Sequence, residues 1–275
     1  YNSTYNGYVK PNYNQARYLI KDVLEEAEAN LGFPLYKNQV NWIIQAVYEG
    51  RGINAHDVGG GKTFSAIVLL EVLRRRGQVK KPLIAVPGKT IANWEKEILR
   101  VFPDADIASL GGLRGGREKR EEALFDIANR NPDFTLITHE GLMLIDIPLE
   151  VSERYLDDLT IEHFDNAEKT GTSQVKLQEK IDIYKTVMRN NFGEGKLTIE
   201  KLGFDSIIAD EAHTFKNIGV RTDLYEYKVG KKFEFTQKKD PETKEYIEGS
   251  MSIMSKRSYQ FRFMANYISD LNNNR

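Results

Sequence analysis

Two short stretches of this chain carry the residue types that phosphate chemistry needs. The first is Gly59-Gly60-Gly61-Lys62-Thr63. Its glycines let backbone amides turn inward, and a helix that follows adds its positive N-terminal end. The Lys62 ammonium suits the β- and γ-phosphates of a nucleotide, and the Thr63 hydroxyl suits magnesium. The usual spacing G-x-x-x-x-G-K-[ST] would put a glycine at position 56, where this chain has His56. The second stretch is Asp210-Glu211-Ala212-His213. Asp210 can hold magnesium through its water shell, and Glu211 can orient or deprotonate the attacking water. His213, two residues on, can couple the nucleotide to another element. Each stretch alone has a plain alternative, a glycine turn before any helix or a solvated acidic cap on a strand. In this order, and together, they point to ATP with magnesium.

Such residues need rigid elements to hold them. Short apolar runs at Ile53 to His56, Pro82 to Val86, Ile107 to Leu110, Phe134 to Thr138 and Ser206 to Asp210 read as five strands. Helical spacing separates them, over Thr63 to Arg76, Thr90 to Phe102 and Glu118 to Asn129. Strands alternating with helices predict an α/β fold, a parallel sheet with helices on both faces. The last strand delivers Asp210 and Glu211 to the carboxyl end of the sheet, where ligands sit in open α/β folds. Two helices precede this array, Gln15 to Asn30 and Lys37 to Tyr48, after an irregular arm rich in Tyr, Asn and Gly. A polar insertion, roughly residues 150–202, carries Leu177, Ile181, Tyr184 and Met188 at helical spacing and reads as a protruding helical hairpin. Lys231 to Gly249 reads as a β-hairpin turning at Asp240-Pro241, and Ser250 as the cap of a final helix to about Leu271. The domain division expected is 1–34 for the arm and first helix, 35–217 for the nucleotide-binding lobe, and 218–275 for the hairpin and last helix.

Composition narrows the classes further. Hydrophobic residues at 40% and charged residues at 29% belong to an ordinary globular protein. The net charge of -1 supplies no overall basic field for nucleic acid, although a local basic track suffices for a translocase. The chain has no cysteine, which removes disulfides and thiolate zinc sites and suits a reducing cytoplasm. No run of about 18 apolar residues is present, so a membrane partner is not expected. The start at Tyr1 suggests a piece excised from something longer. Arg74-Arg75-Arg76 and the basic residues from Arg114 to Arg120 read as solvated helix ends or loops, and Trp42 and Trp94 as core.

The ordered set of motifs resembles the Swi/Snf-type ATPases of helicase superfamily two. His56-Asp57-Val58-Gly59-Gly60-Gly61-Lys62-Thr63 is similar to motif I of that family. Pro82-Leu83-Ile84-Ala85-Val86-Pro87, with Asn93-Trp94 and Glu97, resembles motif Ia and its helix, and Thr138-His139-Glu140 sits where motif Ib falls. Asp210-Glu211-Ala212-His213 with Lys216-Asn217 resembles motif II. The resemblance covers roughly Leu35 to Asn217, and it implies a RecA-like first lobe. It also implies that Gln39 reads the adenine, and that Gly88, Lys89, Thr138 and His139 hold the phosphates of one DNA strand. The form of motif I and the insert before motif II look most like large phage and mobile-element proteins in which such a helicase is fused to an adenine methylase.

Two departures matter. The family's motif III and its second RecA-like lobe, which brings an arginine finger, have no counterpart within these 275 residues. The implied function is the ATP-binding lobe of a double-stranded-DNA translocase in a bacterial host cell, partnered by that second lobe. A structural or docking module with a silent nucleotide site is the alternative from another class. An RNA helicase is disfavoured by Lys216-Asn217 and Asn93-Trp94.

Overall fold

A computed structural model describes residues 13–57, 59–111, 117–148, 150–152, 154–155, 197–215 and 256–273. The insertion beyond 155, the expected hairpin at 231–249, the Ser250 cap and Lys216-Asn217 lie outside the described residues. The chain divides into two compact units. The first comprises Tyr1–Leu142, Leu202–Ile208 and Ser269–Arg275, and the second Met143–Lys201 and Ala209–Ile268.

The first unit opens with a 3-10 helix, Tyr13–Ile20, that passes into α1, Lys21–Leu31. The spacing predicts one α-helix there, and the structure divides it into two helical forms. Next come α2 (Lys37–Glu49), α3 (Lys62–Arg75), β1 (Pro82–Val86), α4 (Ile91–Val101), β2 (Ile107–Ser109), α5 (Arg117–Asn129) and β3 (Phe134–Thr138). A single helical turn, His139–Leu142, follows β3, and β4 is Ser206–Ala209. The sheet has four strands in the order β2-β3-β1-β4. β3 pairs in parallel with both β1 and β2, with Ile84 opposite Leu136 and Val86 opposite Thr138. This is an α/β, RecA-like layout.

Alternation along the strands accounts for the layering. Ile84, Val86, Phe134 and Leu136 join the core formed with α1 to α4. Leu83, Ala85, Thr135 and Ile137, pointing the other way, are buried just as completely. Both faces of β1 and β3 are therefore covered, which is why these strands read as continuous apolar runs.

The expected strand at Ile53 to His56 does not form. Residues 51–57 have no regular secondary structure, and Ile53 is 88% exposed. The ladder's backbone groups are taken by side chains instead. Trp42 Nε1 donates to the Ile53 carbonyl (3.2 Å), and the His56 amide donates to Asn54 Oδ1 (3.3 Å). Local side-chain bonding of this kind competes with sheet pairing.

Two buried charged groups fix the ends of these elements. The Asp205 carboxylate accepts the Lys80 and Lys81 amides at 2.9 Å each, tying the start of β4 to the start of β1. Asn272, near the end of the last helix, donates to the Asp205 carbonyl (3.2 Å). The Lys81 ammonium turns inward to the carbonyls of Ala128 (2.6 Å) and Leu202 (3.3 Å). Burial lowers its pKa, opposed by the nearby negative charge of Asp205. The arginine run closes α3 at the surface, with Arg75 and Arg76 exposed as expected, and its charges are paired. Glu71, buried on α3, accepts from Arg74 Nε (2.8 Å) and Arg75 Nε (2.6 Å), while Arg74 also reaches Asp133 and Arg75 reaches Glu26. The hydrogen bond to Glu26 and the one to Glu71 raise the Arg75 pKa against the opposing effect of burial.

In the second unit the described residues are Met143 to Pro148 and the short stretches after it, residues 197–201, the turn after β4, and most of α6, Lys256–Asn273. Leu197, Thr198 and Ile199 run alongside Asp146. Tyr155 stacks on Phe263 with ring centroids 5.7 Å apart.

Asp205→Ala would leave two amides without their acceptor. Only the Lys81 amide is fully buried, and because an unmet buried donor costs roughly 1–3 kcal/mol, we expect a loss of about 1–3 kcal/mol in denaturant unfolding. A change within experimental error would show that the clasp is not structural.

Candidate nucleotide-binding site

The expected phosphate loop is built from the end of the irregular 51–57 segment and the start of α3. Gly59 and Gly61 both take positive φ, 81° and 69°. Gly61 is the N-cap of α3, and no side chain caps that helix. Its first amides and its dipole therefore face the loop rather than a protein carboxylate. The Lys62 ammonium lies across the loop and donates to the His56 carbonyl (2.9 Å), with the Asp57 carbonyl at 3.5 Å. Gly60 donates its amide to the Asp57 carbonyl (2.9 Å), closing a tight turn. A Cβ at Gly60 would press on the Asp57 carbonyl at 3.0 Å and the His56 Cβ at 3.1 Å. The bulkier His56 thus stands against the one loop glycine whose φ is not positive. Thr63 is partly exposed in the first turn of α3.

Gln39 holds this loop from below. It is 3% exposed, and its Nε2 donates to the Gly60 carbonyl (3.0 Å) and the Gly61 carbonyl (3.3 Å). Its Oε1 accepts the Tyr36 amide (2.7 Å), which caps α2. Both ends of the amide are committed to backbone, so reading an adenine would require one of these bonds to open. A Cβ at Gly61 would run into Gln39 Nε2. Beside the loop, Phe64 meets Phe33 edge to face (6.2 Å), and the Arg100 guanidinium lies over both rings.

The residues expected at nucleic acid divide. Because Val86 sits opposite Thr138, the loops leaving β1 and β3 run side by side. A Cβ at Gly88 would lie 3.8 Å from Thr138 Cγ2. Gly88 and Lys89 are exposed. Thr138 Oγ1 accepts the Gly141 amide (2.9 Å), which starts the helical turn. His139 is only 3% exposed, so its ring is part of the packing.

The acidic stretch belongs to the second unit, and its geometry is local. Glu211 has φ of 51°, the one positive value at a residue other than glycine among the described residues. For such a residue the left-handed region costs roughly 1–2 kcal/mol. Its amide donates to Asp210 Oδ1 (3.0 Å), and its carbonyl accepts from Thr214 N (3.1 Å) and Thr214 Oγ1 (3.2 Å). His213 Nδ1 lies 3.0 Å from Glu211 Oε2. The turn Ala212–Phe215 is anchored by Phe215, which stacks on Phe261 of α6 with centroids 4.4 Å apart.

Residues 42–232, well over half of the chain, match the family described as a probable helicase domain. The chain belongs to that family. Over 105 residues this helicase domain is 33% identical to the mouse "SWI/SNF-related matrix-associated actin-dependent regulator of chromatin subfamily A containing DEAD/H box 1", covering 38% of the chain and 10% of that protein. It is 35% identical over 98 residues to the Caenorhabditis elegans "Chromodomain-helicase-DNA-binding protein 3 homolog", covering 35% of the chain and 5% of that protein. With the Saccharomyces cerevisiae "ISWI chromatin-remodeling complex ATPase ISW2" it shares 38% over 81 residues, 28% of the chain and 7% of that protein. The helicase domain thus spans a tenth or less of the length of these curated relatives. Over these stretches it is similar to SWI/SNF-related and chromatin-remodelling proteins. Among the described residues no helix is long and apolar enough to cross a membrane.

Sequence reading found the loop and the acidic stretch but missed what holds them. Glu71, Lys81, Asp205 and Phe261 carry no motif, and only hydrophobic spacing around them hinted at burial.

Gly61→Ala forces a Cβ into Gln39 and a positive φ onto alanine. We expect affinity for a fluorescent ATP analogue to fall at least about tenfold, the loss that 1.4 kcal/mol of misplaced loop produces. Unchanged affinity would show that the Gln39–Gly61 contact does not shape the site.

Proposed function

We propose that this helicase domain is the first RecA-like lobe of an ATP-driven motor that moves along double-stranded DNA. The observation that carries the reading is the phosphate loop. It is a glycine turn braced by a buried amide, with a lysine ammonium laid across it, opening an uncapped helix. The donors present fit a nucleotide polyphosphate. Backbone amides and the Lys62 ammonium suit phosphate oxygens, and the Thr63 hydroxyl and Asp210 carboxylate suit a hydrated magnesium ion. Magnesium, when bound, neutralises charge on the β- and γ-phosphates.

In this reading Lys62 exchanges the His56 and Asp57 carbonyls for phosphate oxygens, and Gly59, Gly60 and Gly61 leave room for them. Asp210 and Thr63 hold the metal's shell. Glu211 orients the attacking water and accepts its proton. His213 couples the nucleotide to another element, and Gln39 reads the adenine once one of its backbone bonds opens. Gly88, Lys89, Thr138 and His139 contact one DNA strand through its phosphates, without reading bases. A second RecA-like lobe would supply the arginine that completes the site. The form of motif I supports a place among large phage or mobile-element proteins.

One observation favours the other class, a docking module with a silent site. His56 crowds the loop where the common pattern has glycine, and Gln39 already spends both ends of its amide. Against it stand Lys62, Thr63, Asp210 and Glu211, all intact.

Lys62→Ala should abolish ATP-analogue binding, and Glu211→Gln should keep binding while turnover falls by at least about 100-fold, the usual worth of a general base. Unchanged steady-state ATPase activity in either variant of the full-length protein refutes the assignment. The chain by itself should bind nucleotide weakly and turn it over slowly if at all. Robust DNA-stimulated ATPase activity from these 275 residues alone would show that no partner lobe is needed.

A further inference from the structure

We propose that His213 is the positioning residue for Glu211, fixing one carboxylate oxygen so that the other is left for the reacting water. The inference rests on the reading of Glu211 as the water-orienting base.

Glu211 is held at almost every polar atom it has. Its amide is bound by Asp210 Oδ1, and its carbonyl by the Thr214 amide and hydroxyl. Its backbone sits in the left-handed region, which fixes where the side chain leaves the turn. Those restraints set the Cα–Cβ bond, yet a glutamate still has three free torsions beyond it. Among the described residues the polar contact that restrains them is His213 Nδ1 to Oε2, at 3.0 Å. A carboxylate offers only acceptors, so Nδ1 must carry the proton and donate. The neutral ring suffices for this, and the contact needs no change of charge. Oε1 accepts no hydrogen bond among the described residues, and the Glu211 side chain is 57% exposed.

The arrangement therefore commits one oxygen and presents the other. A base works only when a lone pair is held within hydrogen-bond reach of the proton it takes. A third group that orients the base is the recurring way to achieve this. The imidazole itself is held by the 3-10 turn Ala212–Phe215, whose Phe215 is pinned by Phe261. The spacing Glu-x-His within one turn thus lets the side chain two residues on reach back to the base.

The test is steady-state ATP turnover by the full-length protein at saturating duplex DNA, over a range of ATP concentrations, for wild type, His213→Ala, His213→Asn and Glu211→Gln. Orienting partners are worth roughly ten- to a hundredfold, and the exposure of this pair places it at the low end. His213→Ala should lower kcat about tenfold with KM within about twofold. His213→Asn keeps a donor close to the place of Nδ1 and should restore kcat to within about threefold of wild type. A His213→Ala enzyme with wild-type kcat, one impaired only in KM, or an Asn variant no better than Ala would overturn the proposal. Thermal unfolding separates a folding defect from an orienting one, since both His213 variants should melt with the wild type. If they melt early in parallel with their loss of kcat, the role is structural and the proposal is also overturned. If Glu211→Gln turns over like wild type, the base has been misassigned, and the underlying reading fails as well.

Discussion

A single buried amide governs the glycine loop of this molecule. Gln39 joins the cap of α2 to the carbonyls of Gly60 and Gly61, so the loop cannot move without the helix. The consequence runs in both directions. Gly61 must remain without a side chain because Gln39 occupies the space, and Gln39 must remain an amide because it donates at one end and accepts at the other. A loop of three glycines would otherwise lose more backbone entropy on ordering than any other sequence. The amide and the Lys62 ammonium, both closing on loop carbonyls, restrain it before any phosphate arrives. Such preorganisation is where binding energy is most cheaply conserved.

The sheet beneath the loop is held by a different device at its other end. Asp205 accepts the amides that open β1, and Lys81 reaches the carbonyl end of α5. These groups are buried, and each has its polar atoms met by backbone, which is the condition for tolerating charge inside a fold. With the strand starts fixed there, the register of β1 against β3 brings the loops after Val86 and Thr138 together at the opposite end.

Much of this was legible in the sequence, and for identifiable reasons. Pro82 to Val86 and Phe134 to Thr138 are apolar on both faces because helices cover both, and so they read unmistakably as buried strands. Gly61 and Lys62 marked a glycine turn opening a helix, and Gly61 is the N-cap of α3. Ile53 to His56 misled because its composition suits a strand while Trp42 and Asn54 take its backbone groups, and spacing cannot register a competitor. The arginine run does end its helix at the surface, while its pairing with Glu26 and Asp133 follows only from the fold. His139 matched a motif position, yet its burial depends on packing that no local pattern reports. Gln39 was noticed for the adenine, while its bonds to the loop follow only from the fold.

Membership of the helicase-domain family and the geometry of the loop converge on one claim, that Lys62 and its glycines receive the phosphates of ATP. The most direct measurement is titration of the full-length protein with a fluorescent ATP analogue and magnesium, with and without duplex DNA, single strands and RNA. The account predicts saturable binding that unlabelled ATP competes away, and turnover stimulated most by duplex DNA. Absence of saturable binding under all four conditions would contradict it, and would leave the loop as a braced turn in a docking module.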